Sequence, residues 1–134
     1  MTTDLIILKV LIAEYSEDAR QSLCESLDEI GRFEIVEVDN GADAMVHLRT
    51  ERFDLILLGV ALPRLSGSAI LDLIKSKMRL YIETPVLMIC SDRASLSPVE
   101  AGARGAYNCI TVPANATDLE SAVAVSRRLA SIDL

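Results

Sequence analysis

Five short apolar runs alternate along this chain with amphipathic stretches, and that alternation restricts the fold more than any other feature. The runs lie at Leu8–Ala13, Phe33–Val38, 54–58, 85–90 and 108–112. Each has the length of a buried strand, and none approaches the ~20 apolar residues needed to cross a bilayer. The first helix is predicted from Ser16 as N-cap, with Glu17 and Asp18 in the first turn complementing the dipole. Ala19, Leu23, Leu27 and Ile30 then recur at helical spacing until Gly31. Helices are also predicted over 42–51, after the turn Asp39-Asn40-Gly41, and over 66–77, with Ile70 and Ile74 on one face. Ser97, Pro98 and Glu100 make a further helix start, which Gly105 ends about two turns later. Gly102 weakens that fourth helix by roughly 1 kcal/mol relative to alanine. With the irregular connection 91–97 before it, this region is expected to be mobile. Asn115 caps a last helix that carries Leu119, Val123 and Leu129 inward.

Five strands, each followed by a helix, imply a parallel sheet covered on both faces, and right-handed crossovers make it a doubly wound three-layer α/β sandwich. Ligands of such sheets bind beyond the carboxyl ends of the strands, so Glu14, Tyr15, Gly59, Cys90 and Val112 are the positions to inspect. The 134 residues, 51% apolar, suit one domain, 1–134, with a core over about 8–130. A net charge of −7 argues against a nucleic-acid surface and favours solubility and a basic partner. No basic leader and no cleavage site open the chain, so a cytoplasmic protein without membrane association is expected. Cys24, Cys90 and Cys109 are odd in number and lack metal-binding spacing, so reduced thiols are expected, with no metal and no cofactor. His47 has no motif partner and reads as a solvated surface residue. No hydrolase elbow surrounds Ser66 and Ser68, Gly102 and Gly105 make no phosphate loop, and Arg127 and Arg128 suit the dipole of the last helix.

Four segments, in order, resemble the receiver domains of response regulators. Lys9-Val10-Leu11-Ile12-Ala13-Glu14-Tyr15-Ser16-Glu17-Asp18-Ala19-Arg20 resembles the opening K-I-L-I-V-D-D-D-x-D-x-R. Phe53-Asp54-Leu55-Ile56-Leu57-Leu58-Gly59-Val60-Ala61-Leu62-Pro63-Arg64-Leu65-Ser66-Gly67 resembles P-D-L-V-L-L-D-L-x-L-P-x-M-S-G. Thr84-Pro85-Val86-Leu87-Met88-Ile89-Cys90-Ser91 is similar to T-P-V-I-V-L-T-A. Val112-Pro113-Ala114-Asn115-Ala116-Thr117-Asp118-Leu119 is similar to K-P-F-D-P-E-E-L. The gap-free register places Arg104-Gly105-Ala106, rather than Ala101-Gly102-Ala103, at the small-residue motif before the fifth strand. The resemblance implies a flavodoxin-like sheet in the order 2-1-3-4-5 and a cis peptide at Val112–Pro113.

It also implies what is missing. Receivers take a phosphoryl group on an aspartate after the third strand, with Mg²⁺ held there and by an acidic pair after the first. A hydroxyl residue after the fourth strand and a lysine after the fifth contact the phosphoryl oxygens. Carried over residue by residue, the acidic pair is Glu14 and Tyr15, the acceptor Gly59, the hydroxyl position Cys90 and the lysine Val112. The aromatic switch position on the fifth strand is Cys109, so both switch-like positions, Cys90 and Cys109, are cysteine. They read as two buried apolar thiols, with a redox-linked switch as the sharper alternative. Asp54 starts the third strand, far from the crevice, and Asp92 lies on a loop. The expectation is a non-enzymatic, phosphorylation-independent signalling module that binds a protein partner or a second copy of itself. The family's interaction face would bring Leu96, Val99, Ala106, Tyr107 and Asn108 to that partner. A receiver with an unconventional phosphoacceptor and a small-ligand sensor, with Tyr15, Gly59, Cys90 and Val112 lining a neutral crevice, are the alternatives. Detection of an acyl phosphate separates the first, and a bound apolar molecule at the strand ends the second.

Overall fold

The computed structural model describes residues 6–90 and 96–132. The five strands β1 (Leu8–Ala13), β2 (Phe33–Val38), β3 (Leu55–Gly59), β4 (Val86–Ile89) and β5 (Asn108–Ile110) form one parallel sheet in the order β2-β1-β3-β4-β5. Five helices connect and follow them: α1 (Glu17–Ile30), α2 (Gly41–Thr50), α3 (Gly67–Lys77), α4 (Pro98–Ala103) and α5 (Ala116–Ile132). A single 3-10 turn, Arg79–Tyr81, lies between α3 and β4. This is the flavodoxin-like architecture expected from the sequence.

The period-2 alternation of the strands builds two cores at once. Leu11, Ala13, Ile56, Leu58, Val86 and Met88 face one side, where Ala44, Leu48, Ile70, Ile74 and Ala101 of α2, α3 and α4 cover them. Val10, Ile12, Leu55, Leu57, Leu87 and Ile89 face the other, against Leu23 and Leu27 of α1 and Leu119 and Val123 of α5. The caps read from the sequence close the helices. Ser16 Oγ accepts from Ala19 N at 3.2 Å, Ser66 Oγ from Ala69 N at 3.2 Å, and Ser97 Oγ from Glu100 N at 3.1 Å.

Several boundaries differ from the sequence reading, and three of them have a physical reason. Asp54 is not in β3: its carboxylate accepts from Lys9 N at 2.8 Å, and its own N–H donates to Lys9 O, so it fastens the start of β1. β5 is an edge strand with three register pairs to β4, ending at Ile89↔Ile110, so Val112 lies two residues beyond it. Asn40 caps α2 through its carbonyl oxygen, 2.9 Å from Asp43 N, so that helix starts at Gly41. α4 is six residues long. Its chain leaves through Gly105 at φ 99°, the left-handed region that glycine occupies without strain, while Ala106 N donates back to Ala101 O at 2.9 Å. Of the connection expected to be mobile, 91–95 lies outside the described residues, as does Asp92.

The fully buried Tyr81 ties the 3-10 turn to the end of α2: its hydroxyl lies 3.1 Å from Leu48 O and 2.6 Å from Glu51 O. Tyr81→Phe leaves these carbonyls without their donor and is expected to destabilise the fold by about 1–2 kcal/mol. Urea unfolding checks this as a lower midpoint at unchanged m-value; an unchanged midpoint would mean that water or another donor serves those carbonyls.

Candidate functional site

The carboxyl ends of the strands place three of the five inspected positions, Glu14, Cys90 and Val112, around one cleft, with Gly59 beneath Glu14. β1 delivers Glu14, whose backbone N–H donates to Val38 O at 3.0 Å and so continues the strand one residue past its end. The Glu14 carboxylate is fixed by the chain that follows it, with Oε2 accepting from Ser16 N at 2.7 Å. Arg20, on the first turn of α1, donates through one NH group to Glu14 O at 2.6 Å and Tyr15 O at 3.1 Å, and its Nε stands 3.5 Å from Glu37 Oε1. The loop after β1 is therefore held by α1, and Glu14 points inward. Its neighbour Tyr15, at the bend that follows, is turned out and 67% exposed. The expectation that Tyr15 lines the crevice is corrected by this exposure, and Tyr15 is not among the residues that line the cleft.

Gly59 ends β3 beneath the Glu14 carboxylate. A Cβ at position 59 would stand 2.7 Å from Glu14 Oε1 and 3.4 Å from Ala13 O. Glu14 thus takes the space into which a side chain at 59 would grow. Beside it lies a cleft of about 430 Å³ lined by Glu14, Ser16, Ala19, Ile89, Cys90, Thr111 and Val112. It carries the Glu14 carboxylate expected at the strand ends, so it is not the neutral crevice of the small-ligand alternative. The sequence reading missed Ser16 and Thr111. Ser16 was legible only as a helix cap, while Thr111 lies between two positions that a motif singled out. Val112 is packed against the α1 and α5 core, and the Val112–Pro113 peptide is cis.

Among the described residues, the donor set does not suit Mg²⁺, which favours near-octahedral oxygen ligation with one or two carboxylates. Glu14 is the one carboxylate among the cleft residues, and one of its oxygens already takes the Ser16 N–H. Among the described residues, no group of three or more His, Cys, Asp or Glu side chains is placed to hold a metal.

Cys90 follows β4 and Cys109 lies in β5; the two are joined as a disulfide, with Cα atoms 6.3 Å apart. The expectation of three reduced thiols is thereby corrected: the parallel register pairs Cys109 with Met88, and Cys90, two residues further along and on the same face, lies diagonally across from it. Cys24 is free, and its thiol is pushed up to about 11, chiefly by burial and then by the Glu37 carboxylate. His47 is not a lone surface group, because its Nδ1 is 2.5 Å from Glu51 Oε2 and Glu51 Oε1 is 2.5 Å from Lys9 Nζ. Glu51 is lowered from the usual carboxylate range first by the Lys9 hydrogen bond and then by that of His47.

The expected interaction face divides in two. Val99 is 82% and Tyr107 44% exposed, and both offer apolar surface. Asn108 is half-buried, its amide nitrogen 3.4 Å from Asp118 Oδ1 and its side-chain oxygen accepting from Cys109 N at 2.8 Å. Leu96 and Ala106, in contrast, are buried. α4 is so short that Ala101 is its one buried residue, and Leu96 and Ala106 from its flanks fill the space beneath it.

The sequence model of the response regulator receiver domain matches residues 10–124. This chain belongs to that family. The receiver domain is similar to the response regulator protein FleR of Pseudomonas aeruginosa, 33% identical over 116 residues, covering 87% of this chain and 24% of that protein. It is also similar to a protein-glutamate methylesterase/protein-glutamine glutaminase of Trichodesmium erythraeum, 29% identical over 123 residues, 90% of this chain and 34% of that protein. Both relatives are thus much longer than the matched segment. Among solved structures, the chemotaxis response regulator CheY4 of Vibrio cholerae superposes with a TM-score of 0.73 at 26% identity, covering 90% of this chain and 99% of that one. NtrX of Brucella abortus gives 0.76 at 27% identity, over 96% of this chain and 29% of that one. The chain is a receiver domain of a two-component signalling system, and none of its described helices is long and apolar enough to cross a membrane.

Proposed function

We propose that this receiver domain signals by binding a protein partner, without phosphorylation and without catalysing a reaction of its own. The observation that supports this reading most is the position of the Glu14 carboxylate over Gly59, where it fills the space a phosphoacceptor side chain would need. Val112 and Cys90 add to it, since neither offers the fixed cation or hydroxyl that a phosphoryl group would meet. The binding face in this reading is the exposed edge of α4 and β5, carried by Val99 and Tyr107. A second copy of the chain is the partner that can be tested directly.

Sedimentation velocity over a concentration series makes that test. Self-association is expected, with Val99→Glu combined with Tyr107→Glu weakening it at least tenfold and acetyl phosphate with Mg²⁺ leaving it unchanged. Association that the double variant does not weaken, or no association at all, removes self-association through this face. Association that appears only with acetyl phosphate and Mg²⁺ overturns the phosphorylation-independent reading itself.

A further inference from the structure

The Cys90–Cys109 pair stands where β4 and β5 lead into and out of α4. Met88 pairs with Cys109 in the parallel register, and Cys90 N donates to Ile110 O at 2.8 Å. Both sulfurs belong to the core beneath α4, together with Met88, Leu96, Ala101 and Ala106. Their Cα separation of 6.3 Å lies within the range that a disulfide spans without backbone movement. The bridge closes a loop that contains the whole of α4.

The two sulfurs differ in access. Cys90 is 5% exposed, whereas Cys109 on the edge strand is only half-buried. Cys109 is therefore the more accessible of the two residues to an external thiolate, with Cys90 as the leaving group. Both Sγ atoms also lie 3.6 Å from Leu96 O, immediately before the α4 N-cap Ser97. As thiols, either cysteine can donate a weak S–H hydrogen bond to that carbonyl; as a disulfide, neither has a hydrogen to give. The oxidation state of the pair therefore changes what holds the backbone at the start of α4, one turn from the exposed Val99. Cys24 is a natural internal control, because it lies on α1 in the opposite core and stays protonated at neutral pH.

We propose that Cys90 and Cys109 form a reversible redox site, exchanged by dithiol–disulfide partners of the thiol-oxidoreductase or glutathione class, whose state sets the seating of α4. In the reducing direction a thiolate of the partner attacks Cys109 Sγ. The Cys90–Cys109 bond breaks, a mixed disulfide forms on Cys109, and Cys90 leaves as a thiolate that takes a proton. A second partner thiolate attacks the partner's own sulfur in that mixed disulfide and releases Cys109, which is protonated in turn. Two electrons and two protons pass to the chain, and the partner leaves as its disulfide; oxidation is the reverse. The exchange stands apart from the binding reading above, whereas its consequence for partner binding rests on that reading.

The test equilibrates the full chain, without denaturant, in glutathione buffers from reducing to oxidising, then quenches, alkylates and measures intact mass and peptide maps. One label, on Cys24, is expected in the oxidised form and three in the reduced form. Amide shifts measured by NMR on the same samples are expected to change from Leu96 through Gly102. Cys24→Ser should keep the transition, and Cys109→Ser should abolish it while remaining folded. Three labels under oxidised glutathione overturn the site, and so does a map that places the bond on Cys24. A single label that rises to three only after unfolding overturns reversibility. Shifts confined to the two cysteines and their chain neighbours overturn the link to α4. A sound transition without any change in self-association leaves the exchange standing and removes only its effect on binding.

Discussion

Gly59→Asp is expected to take up no phosphoryl group from acetyl phosphate in the presence of Mg²⁺, and to lower stability at neutral pH by about 2 kcal/mol. The new Cβ would stand 2.7 Å from Glu14 Oε1, so Glu14 must swing away and give up the Ser16 N–H. Two carboxylates then share one crevice, which raises the introduced carboxyl above that of an unfolded aspartate. The sign of the pH dependence follows. A raised carboxyl pKa destabilises the fold at pH values above it, so the deficit relative to wild type should narrow as pH falls towards the usual carboxylate range. The phosphoryl chemistry stays absent because Val112 supplies no cation and Tyr15 no carboxylate. Each missing charge contact of this kind is worth about 10²–10³ in rate. Urea unfolding across pH, alongside intact mass, measures both parts. A variant as stable as wild type would show that Glu14 does not hold that space.

Gly67→Ala is expected to be more damaging, costing about 3 kcal/mol. Gly67 N donates to Val60 O at 3.0 Å, and a Cβ there would run into the Gly59 carbonyl oxygen, with Val60 Cα at 3.2 Å. These are backbone atoms of β3 and its exit loop, so no side chain can move aside. The helix-propensity gain of about 0.5–1 kcal/mol from alanine is too small to offset the overlap. Gly102→Ala is the matching control, since nothing lies within 4 Å of a Cβ there. That variant should gain up to about 1 kcal/mol from propensity alone. A shift of the urea midpoint downward for Gly67→Ala and upward for Gly102→Ala is the expected pair. Equal small effects from both would refute the close packing of α3 against the end of β3.

The strands and the caps were legible because each rests on a local signal: alternation for the two cores, Ser16, Ser66 and Ser97 for helix starts, and Gly105 for the end of α4, whereas the sheet order followed from the family resemblance. The positions around the cleft were legible as types, since Gly59 and Val112 plainly lack the groups that phosphoryl chemistry requires. What escaped depended on the third dimension. The sequence shows Glu14 and Tyr15 side by side, but only the Arg20 clamp and the Ser16 N–H decide which of them turns inward. Leu96 and Ala106 are apolar residues beside a short helix, and nothing local says that they fill the space under Ala101 instead of facing a partner. Lys9, Glu51 and His47 come together from β1 and the end of α2, which no motif links.

Whether this receiver domain works without accepting a phosphoryl group is decided by intact mass after incubation with acetyl phosphate and Mg²⁺. In-line transfer needs an acceptor oxygen, a metal to neutralise charge and fixed cations around the moving group. Gly59 removes the first, the donor set around Glu14 does not suit the second, and Val112 removes the third. A single unmodified mass over hours of incubation is expected. A gain of one phosphoryl group that hydroxylamine removes, mapped to Glu14 or any other carboxylate of the cleft, would contradict it.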